Sequence, residues 1–136
     1  MGCIYSRYRL KNCTCKNTQV FSFNNFKTKA KVVKVYDGDT IWVAFNYKGK
    51  YVRIKIRLYG IDTPELRSKH NLEKEKAIDA REYLKRMIFN KIITLECGKF
   101  DKYGRLLGKI YYNNIYVNQK MIEMGLGIAY NGGTKK

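Results

Sequence analysis

The first half of the chain contains three runs in which hydrophobic and polar residues alternate. In the run over 33–35, valine alternates with lysine, and a second run covers 41–45. The third and most regular run covers 52–58, with aliphatic residues at every second position and basic residues between them. Period two is typical of strands with one buried face. Turn-forming segments at 37–40 and 48–50 separate the runs, so we predict an antiparallel meander of three strands.

The pattern changes to a helical period after the third run. Apolar residues at steps of three and four predict an amphipathic helix with Asn71 as N-cap and an end near Asn90. The apolar stripe consists of Ala77, Ala80, Leu84, Met87 and Ile88. Two strands, about 91–97 and 106–112, and a short helix over 118–124 follow. This element order predicts an α+β OB-fold, a five-stranded barrel with about two helices.

The segment before the strands shows neither period. Residues 1–28 are rich in asparagine, lysine, serine and threonine, which predicts a flexible basic tail. We therefore divide the chain into this tail, a barrel domain over 29–131 and a short C-terminal tail over 132–136.

The charge of the chain is strongly positive and unevenly distributed. The 136 residues carry a formal net charge of +17, of which +7 lies in residues 1–31, a segment without acidic residues. Hydrophobic residues make up 45 %, enough for one core, which argues against wholesale disorder. Such a chain favours a polyanionic partner, nucleic acid first and an anionic membrane surface second, and implies no protein partner. No apolar run reaches the roughly 20 residues of a membrane span.

The cysteines predict a reduced, intracellular protein that is not secreted. Cys3, Cys13 and Cys15 precede the barrel and only Cys97 lies within it, unlike the distribution in disulfide-stapled secreted domains. Basic and polar residues interrupt every candidate signal-peptide run. A zinc site at Cys13 and Cys15 would lack a second ligand pair and is disfavoured.

Four polar clusters lie in turns or at strand ends. They are Asp37-Gly38-Asp39-Thr40, Arg57, Asp62-Thr63-Pro64-Glu65 and Asp101-Lys102-Tyr103-Gly104-Arg105. Each alone is usually turn chemistry or an ion-pair partner. In a meander the first turn and the end of the third strand lie close together, which would group Asp39, Asp62 and Glu65. Clustered carboxylates favour Ca²⁺ or Mg²⁺, and Arg57 and Arg105 match phosphate oxygens. Together these groups suit attack on a phosphodiester.

In order and spacing, these clusters resemble the signature blocks of the staphylococcal nuclease (thermonuclease) family. The blocks are Asp37-Gly38-Asp39-Thr40, Arg57-Leu58-Tyr59-Gly60-Ile61-Asp62-Thr63-Pro64-Glu65 and Asp101-Lys102-Tyr103-Gly104-Arg105. One block is a weak signal, but three in register over about 30–130 are a strong one. The resemblance implies an OB-fold barrel and a Ca²⁺-dependent phosphodiesterase that acts on DNA and RNA, prefers single strands and leaves 3′-phosphate ends.

The resemblance also implies how the carboxylates are used. Asp39 and Asp62 would hold one Ca²⁺ through their side chains, and Thr63 would hold it through its backbone carbonyl. Glu65 would position or deprotonate the attacking water.

The remaining residues of the blocks are implied to contact the substrate. Arg57 and Arg105 would stabilise the phosphorane-like transition state, so that loss of either costs orders of magnitude in rate. Lys102 and Tyr103 would contact a neighbouring phosphate, and Tyr130 would line the nucleotide pocket.

The first residues fit a lipidation pattern. Gly2 with Ser6 matches N-myristoylation, and Cys3 is a palmitoylation candidate. One myristoyl chain anchors weakly, and Cys3 or the basic run would add the second signal that stable membrane association needs. For a eukaryotic or eukaryotic-virus source we expect acylation and membrane association. The alternative is an unmodified tail that adds affinity for nucleic acid.

Three function classes follow from these features. The favoured hypothesis is a metal-dependent nuclease. The alternatives are a non-catalytic nucleic-acid-binding OB-fold module and a membrane-surface adaptor in which the tail dominates.

Overall fold

The strands and helices follow the predicted order along the chain. The computed structural model describes residues 9–130. Its strands are β1 (Lys27–Asp37), β2 (Thr40–Tyr47), β3 (Lys50–Leu58), β4 (Ile61–Asp62), β5 (Ile92–Phe100), β6 (Leu106–Tyr112), β7 (Ile115–Tyr116) and β8 (Ile128–Ala129). Its helices are α1 (Asn71–Ile88) and α2 (Val117–Glu123), and residues 9–11 form a helical turn.

One parallel strand pair closes the sheet into a barrel. The sheet order is β3-β2-β1-β5-β6-β7, and these neighbours are antiparallel. β3 also pairs in parallel with β6, with Ile56 opposite Leu106 and Leu58 opposite Gly108. Gly108 permits this approach, because a Cβ atom there would lie 2.7 Å from Ile56 Cγ2. The predicted α+β OB-fold with a five-stranded barrel is confirmed.

β3 departs from the alternation that the sequence predicts for it. Val52, predicted to be buried, is exposed, and Ile54 is only half-buried. The last three residues, Ile56, Arg57 and Leu58, are all buried. This end of β3 has a partner strand on each side, β2 and β6, whereas its beginning pairs with β2 alone. Arg57, predicted to lie on the polar face, is therefore buried.

Helix α1 covers the barrel beside the β1–β2 turn. Four of the five predicted stripe residues are buried, and the fifth, Met87, is half-buried. The predicted N-cap at Asn71 is wrong: the cap is His70, and its side chain makes no capping hydrogen bond. Instead, the Ser68 hydroxyl accepts a hydrogen bond from the His70 backbone and donates one to Glu73. The helix is thus attached to the loop through Ser68.

Aromatic residues just before β1 pack on the barrel core. β1 begins at Lys27, two residues before the domain start predicted from the sequence. Phe23 and Phe26 lie within ring-contact distance of Phe45 and Tyr47. These contacts extend the barrel packing into the segment that the sequence pattern assigns to the tail, and the tail–domain division stays a prediction.

The proposed acylation sites, Gly2 and Cys3, and the C-terminal tail at 132–136 lie outside the described residues. Within residues 9–130, no helix combines the length and hydrophobicity that a bilayer crossing requires.

Thiol labelling is expected to distinguish the cysteines of the folded chain. Cys13 and Cys15 are exposed, whereas Cys97 is buried in β5, and burial raises the pKa of its thiol to about 11. Since the thiolate is the reactive form, a maleimide near pH 8 should label Cys13 and Cys15 in the native protein and Cys97 only after unfolding. Peptide mapping by mass spectrometry measures this order, and equal labelling of Cys97 in the native state would contradict it.

Candidate active site

The turn between β1 and β2 holds a buried carboxylate. Asp39 is 6 % exposed, and its Oδ1 accepts a hydrogen bond from the Thr40 hydroxyl at 3.1 Å. The Asp39 backbone donates to Asp37 Oδ1 at 3.1 Å and accepts from the Leu58 amide at 2.8 Å. These bonds join the turn to the end of β3, so the Asp39 carboxylate faces that strand end.

The two carboxylates of this turn influence each other. Burial, followed by the negative charge of Asp39 and a hydrogen bond with it, raises the pKa of Asp37 to about 7. Asp37 therefore carries only part of its charge near neutral pH, which reduces the repulsion within the turn.

Arg57 joins the turn to the β4 segment. Its Nη2 lies 3.3 Å from Asp39 Oδ2 and 3.4 Å from Asp62 Oδ1. Its Nη1 donates to the carbonyls of Leu58 and Ile61 at 2.9 and 2.8 Å. Arg57 is 8 % exposed, and these four partners stabilise its buried charge. Of the three carboxylates predicted to converge, Asp39 and Asp62 meet on a single guanidinium nitrogen.

Thr63 fixes the backbone next to these carboxylates. Its amide donates to Asp39 Oδ2 at 3.0 Å, and the residue is 4 % exposed. Its hydroxyl is the one buried side-chain polar atom of residues 9–130 without a hydrogen-bond partner. Two glycines permit the close packing: a Cβ atom on Gly38 would lie 3.0 Å from Thr63 Oγ1, and one on Gly127 would lie 3.1 Å from the Asp62 carbonyl. The position of the Thr63 backbone is thus set from both sides.

Glu65 lies at the surface beside this buried group. It follows Thr63 by two residues, its side chain is exposed, and its carbonyl accepts a hydrogen bond from the Ser68 amide at 3.2 Å. Asp39, Arg57, Asp62 and Thr63 are joined by direct contacts, and Glu65 lies on the short chain segment that follows β4. Water can therefore reach the Glu65 carboxylate.

A second carboxylate–arginine pair lies at the start of β6. Arg105 Nε donates to Asp101 Oδ2 at 2.7 Å, and the amides of Arg105 and Tyr103 donate to Asp101 Oδ1 at 2.9 and 2.8 Å. Burial acts to raise the pKa of Asp101, but these hydrogen bonds and the Arg105 charge outweigh it and lower the pKa. Asp101 orients Arg105, a role that sequence analysis did not assign to it.

Strand register relates the two arginines. Arg57 lies opposite Leu107 across the parallel β3–β6 pair, and Arg105 precedes Leu107 by two residues. Arg105 directly precedes β6, so this pairing places its backbone next to the end of β3 that carries Arg57. The pairing brings Arg105 beside the site even though it is distant in sequence.

The remaining predicted site residues lie around this region. Lys102 and Tyr103 are exposed in the turn before β6, with the Lys102 ammonium 5.2 Å from the Tyr103 ring centre. Tyr130 directly follows β8, which pairs with β4, and its amide donates to the Gly60 carbonyl at 2.8 Å. Tyr130 therefore lies beside the turn that carries Asp62.

Asn118 in α2 is a structural residue of the site that sequence analysis did not identify. It is 1 % exposed, its Oδ1 accepts from the Ile110 amide at 3.0 Å, and its Nδ2 donates to the carbonyls of Tyr59 and Gly108 at 2.8 and 3.0 Å. Asn118 thereby joins α2, β6 and the turn between Arg57 and Asp62. No local pattern in the sequence singles out Asn118, since α2 also contains the polar residues Gln119, Lys120 and Glu123.

Replacement of Asn118 by leucine is expected to destabilise the fold. The Ile110 amide and the Tyr59 and Gly108 carbonyls would each lose a hydrogen bond, although the Gly108 carbonyl would keep the one from the Tyr59 amide, and each buried group left unsatisfied costs about 1–3 kcal/mol. Urea unfolding should show a loss of at least about 2 kcal/mol, whereas the neighbouring exposed variant Gln119→Ala should stay close to wild type. Equal stabilities of the two variants would contradict the structural role of Asn118.

Comparison with known proteins identifies the family. Residues 55–136 match the sequence model of the family described as "Staphylococcal nuclease homologue". A thermonuclease of Staphylococcus hyicus is 33 % identical over 101 residues, which cover 73 % of this chain and 57 % of the relative. An uncharacterized endonuclease of Escherichia coli O157:H7 is 33 % identical over 101 residues, 74 % of this chain and 60 % of the relative. An uncharacterized protein of Bacillus anthracis is 38 % identical over 103 residues, 74 % of this chain and 46 % of the relative.

The chain thus spans about half of the length of these relatives. The family model covers more than half of the chain, and it includes the end of β3, the β4 segment and the start of β6. The chain belongs to the family of staphylococcal nuclease homologues.

Proposed function

We propose that this chain is a calcium-dependent nuclease that hydrolyses phosphodiester bonds of DNA and RNA. The observation that supports this most strongly is the convergence of Asp39 and Asp62 on one nitrogen of the buried Arg57 guanidinium. The names of two relatives, thermonuclease and endonuclease, point to the same activity. The net charge of +17 suits a polyanionic substrate.

The oxygen donors at this site fit one Ca²⁺ ion. Asp39 and Asp62 would supply carboxylate oxygens and Thr63 its backbone carbonyl, which are hard ligands of the kind Ca²⁺ prefers. Between residues 9 and 130, no group of three or more acidic, histidine or cysteine side chains could hold a metal. Two carboxylates and a carbonyl would leave positions for water and a phosphate oxygen. When bound, the ion would polarise the phosphate and lower the pKa of a bound water.

The other residues of the site would act on the water and the phosphate. The exposed Glu65 carboxylate would orient the attacking water and accept its proton. The water oxygen would bond to phosphorus as the bond to the 5′ oxygen breaks, and the leaving 5′ oxygen would take a proton from solvent, which gives a 3′-phosphate and a 5′-hydroxyl. Arg57 and Arg105 would stabilise the charge on the phosphate oxygens during this step.

Subsites for the rest of the substrate would lie on both sides of the reacting phosphate. Lys102 and Tyr103, exposed before β6, would contact a neighbouring phosphate, and Tyr130 would contact the nucleotide beside the β4 segment. Lys102 and Tyr103 share one turn and Tyr130 lies on another segment, so these contacts would suit a single strand, which can bend between them, better than a rigid duplex.

Arg105→Ala is expected to lower kcat by about 10²-fold with little effect on stability. The side chain is one-third exposed, and its loss removes the ion pair with Asp101 and the contact with the Tyr103 ring. Asp101→Ala keeps the guanidinium but removes its anchor, so kcat should fall by less and KM should change little. Steady-state kinetics on single-stranded DNA measure kcat and KM separately. An Arg105→Ala enzyme with the kcat of wild type would contradict the proposed role of Arg105.

Analysis of product ends tests the proposed reaction. Single-stranded DNA and RNA labelled at one end are incubated with the full chain and Ca²⁺, and the products are treated with a 3′-phosphatase before electrophoresis or mass spectrometry. The proposal expects fragments with 3′-phosphate and 5′-hydroxyl ends. Fragments with 5′-phosphate ends, or no cleavage with Ca²⁺, would exclude this nuclease chemistry.

A further inference from the structure

On the outer face of the first three strands, basic side chains lie around Trp42, the only tryptophan of the chain. Trp42 on β2 lies opposite Lys34 on β1 and opposite Lys55 on β3. The Arg53 guanidinium carbon lies 5.1 Å from the centre of the indole ring, and the Lys55 ammonium lies 5.5 Å from it. The ring is therefore surrounded by positive charge, an arrangement we call the Trp42 face, consisting of Lys34, Trp42, Arg53 and Lys55.

The charge of the Trp42 face is not neutralised by carboxylates. In the part of the chain that the structure describes, no ion pair involves Lys34, Arg53 or Lys55. Like charges held this close repel one another, and a bound polyanion would remove that cost. The Trp42 face therefore has the electrostatics of a site for phosphate groups.

A shallow pocket lies within the Trp42 face. The β1–β2 register shifts between Val32 and Lys34, and this irregularity borders a pocket of ≈ 290 Å³ lined by Val33, Lys34, Trp42 and Arg53. An aromatic ring, an aliphatic side chain and a guanidinium together suit the flat face of a nucleobase, with its phosphate on the neighbouring cations.

The Trp42 face is continuous with the candidate active site. Tyr51, Arg53, Lys55 and Arg57 occupy alternate positions of β3 and so share one face of the strand, over about 20 Å. Arg57 is the residue on which Asp39 and Asp62 converge. Aromatic and basic groups thus alternate along a path that ends at the proposed reaction centre.

We infer that the Trp42 face binds the single-stranded nucleic acid that extends beyond the active site. That the strand runs outward from the active site rests on the proposed function, which places the reaction centre at Arg57. Binding itself needs no hydrolysis. Nucleic acid fits better than an anionic membrane, because the indole lies half-buried among cations and does not project for insertion.

Fluorescence titration of the full chain tests this inference directly, because Trp42 is the only indole. In excess chelator, which removes the proposed metal, an oligothymidylate of about 20 nucleotides should quench or shift Trp42 emission. Arg53→Ala/Lys55→Ala should bind the same oligonucleotide about tenfold more weakly at about 0.1 M salt, with the slope of log affinity against log salt shallower by about 1.4. The matched control is Lys85→Ala/Arg86→Ala, which removes one lysine and one arginine from the exposed end of α1.

The outcomes separate this inference from the proposed function. Quenching of Trp42 and selective weakening in Arg53→Ala/Lys55→Ala support the inference even if the chain shows no nuclease activity. Unchanged Trp42 emission with a saturating oligonucleotide overturns it, as does equal affinity of the two double variants, even if the chain is an active nuclease. An emission shift with vesicles rich in phosphatidylserine but none with the oligonucleotide would overturn it and assign the face to membranes. If Arg53→Ala/Lys55→Ala fails to fold, the wild-type titration alone decides.

Discussion

Replacing Arg57 with alanine is expected to lower kcat on single-stranded DNA by about 10²–10³-fold or more. Arg57 is the only guanidinium among the described residues that contacts both Asp39 and Asp62, so no neighbouring side chain can replace it. Arg57→Lys should also lose most of the rate, because an ammonium cannot reproduce the four contacts of the planar guanidinium.

Arg57→Ala is also expected to destabilise the protein. Its removal leaves the buried Asp39 carboxylate facing the half-buried Asp62 carboxylate, and breaking a buried ion pair costs about 3–5 kcal/mol. Ca²⁺ should recover part of this loss, because the ion would replace the missing positive charge between Asp39 and Asp62. Urea unfolding with and without Ca²⁺ measures both effects.

The control for Arg57 is Arg86→Ala, which removes an exposed arginine from α1. Rates are compared at a temperature where each variant is folded, as judged by circular dichroism. Folded Arg57→Ala and Arg57→Lys enzymes with kcat within about tenfold of wild type would contradict the transition-state role.

Replacing Glu65 with glutamine is expected to lower kcat by about 10²–10⁴-fold. The amide keeps the shape of the side chain but cannot accept a proton from water. Because Glu65 is exposed and glutamine has nearly the same size and shape, the free energy of unfolding should stay close to that of wild type. A large loss of rate without a loss of stability would distinguish Glu65 from Arg57.

The control for Glu65 is Glu123→Gln, which changes an exposed carboxylate at the end of α2. A Glu65→Gln enzyme with the rate of wild type would exclude Glu65 as the base.

Local patterns in the sequence were sufficient to predict the strand order and the helix face. The alternating pattern predicted β2 correctly, because Ile41, Val43 and Phe45 all face the core. The apolar residues at helical spacing predicted which face of α1 packs on the barrel. The predicted meander likewise indicated that Asp39 and Asp62 lie close together, since the β1–β2 turn and the end of β3 are adjacent.

The features that the sequence did not predict depend on contacts between distant segments. The burial of Arg57 and the exposure of Val52 both follow from the point along β3 where β6 begins to pair. Asn118 takes its role from carbonyls near residues 59 and 108, which no local pattern relates to α2. Asp101 could have been found, because an aspartate four residues before an arginine in a turn is a common local pair.

The measurement that tests the central claim most directly is a calcium titration of the nuclease reaction. Purified wild-type chain and Glu65→Gln, prepared identically, are assayed on single-stranded DNA with rising Ca²⁺ and then with excess chelator. We expect wild-type cleavage that rises to saturation with Ca²⁺ and stops with chelator, and a Glu65→Gln rate at least about 10²-fold lower, which excludes a co-purified nuclease. Cleavage that persists in chelator, equal rates for the two proteins, or no cleavage at any Ca²⁺ concentration would contradict the account.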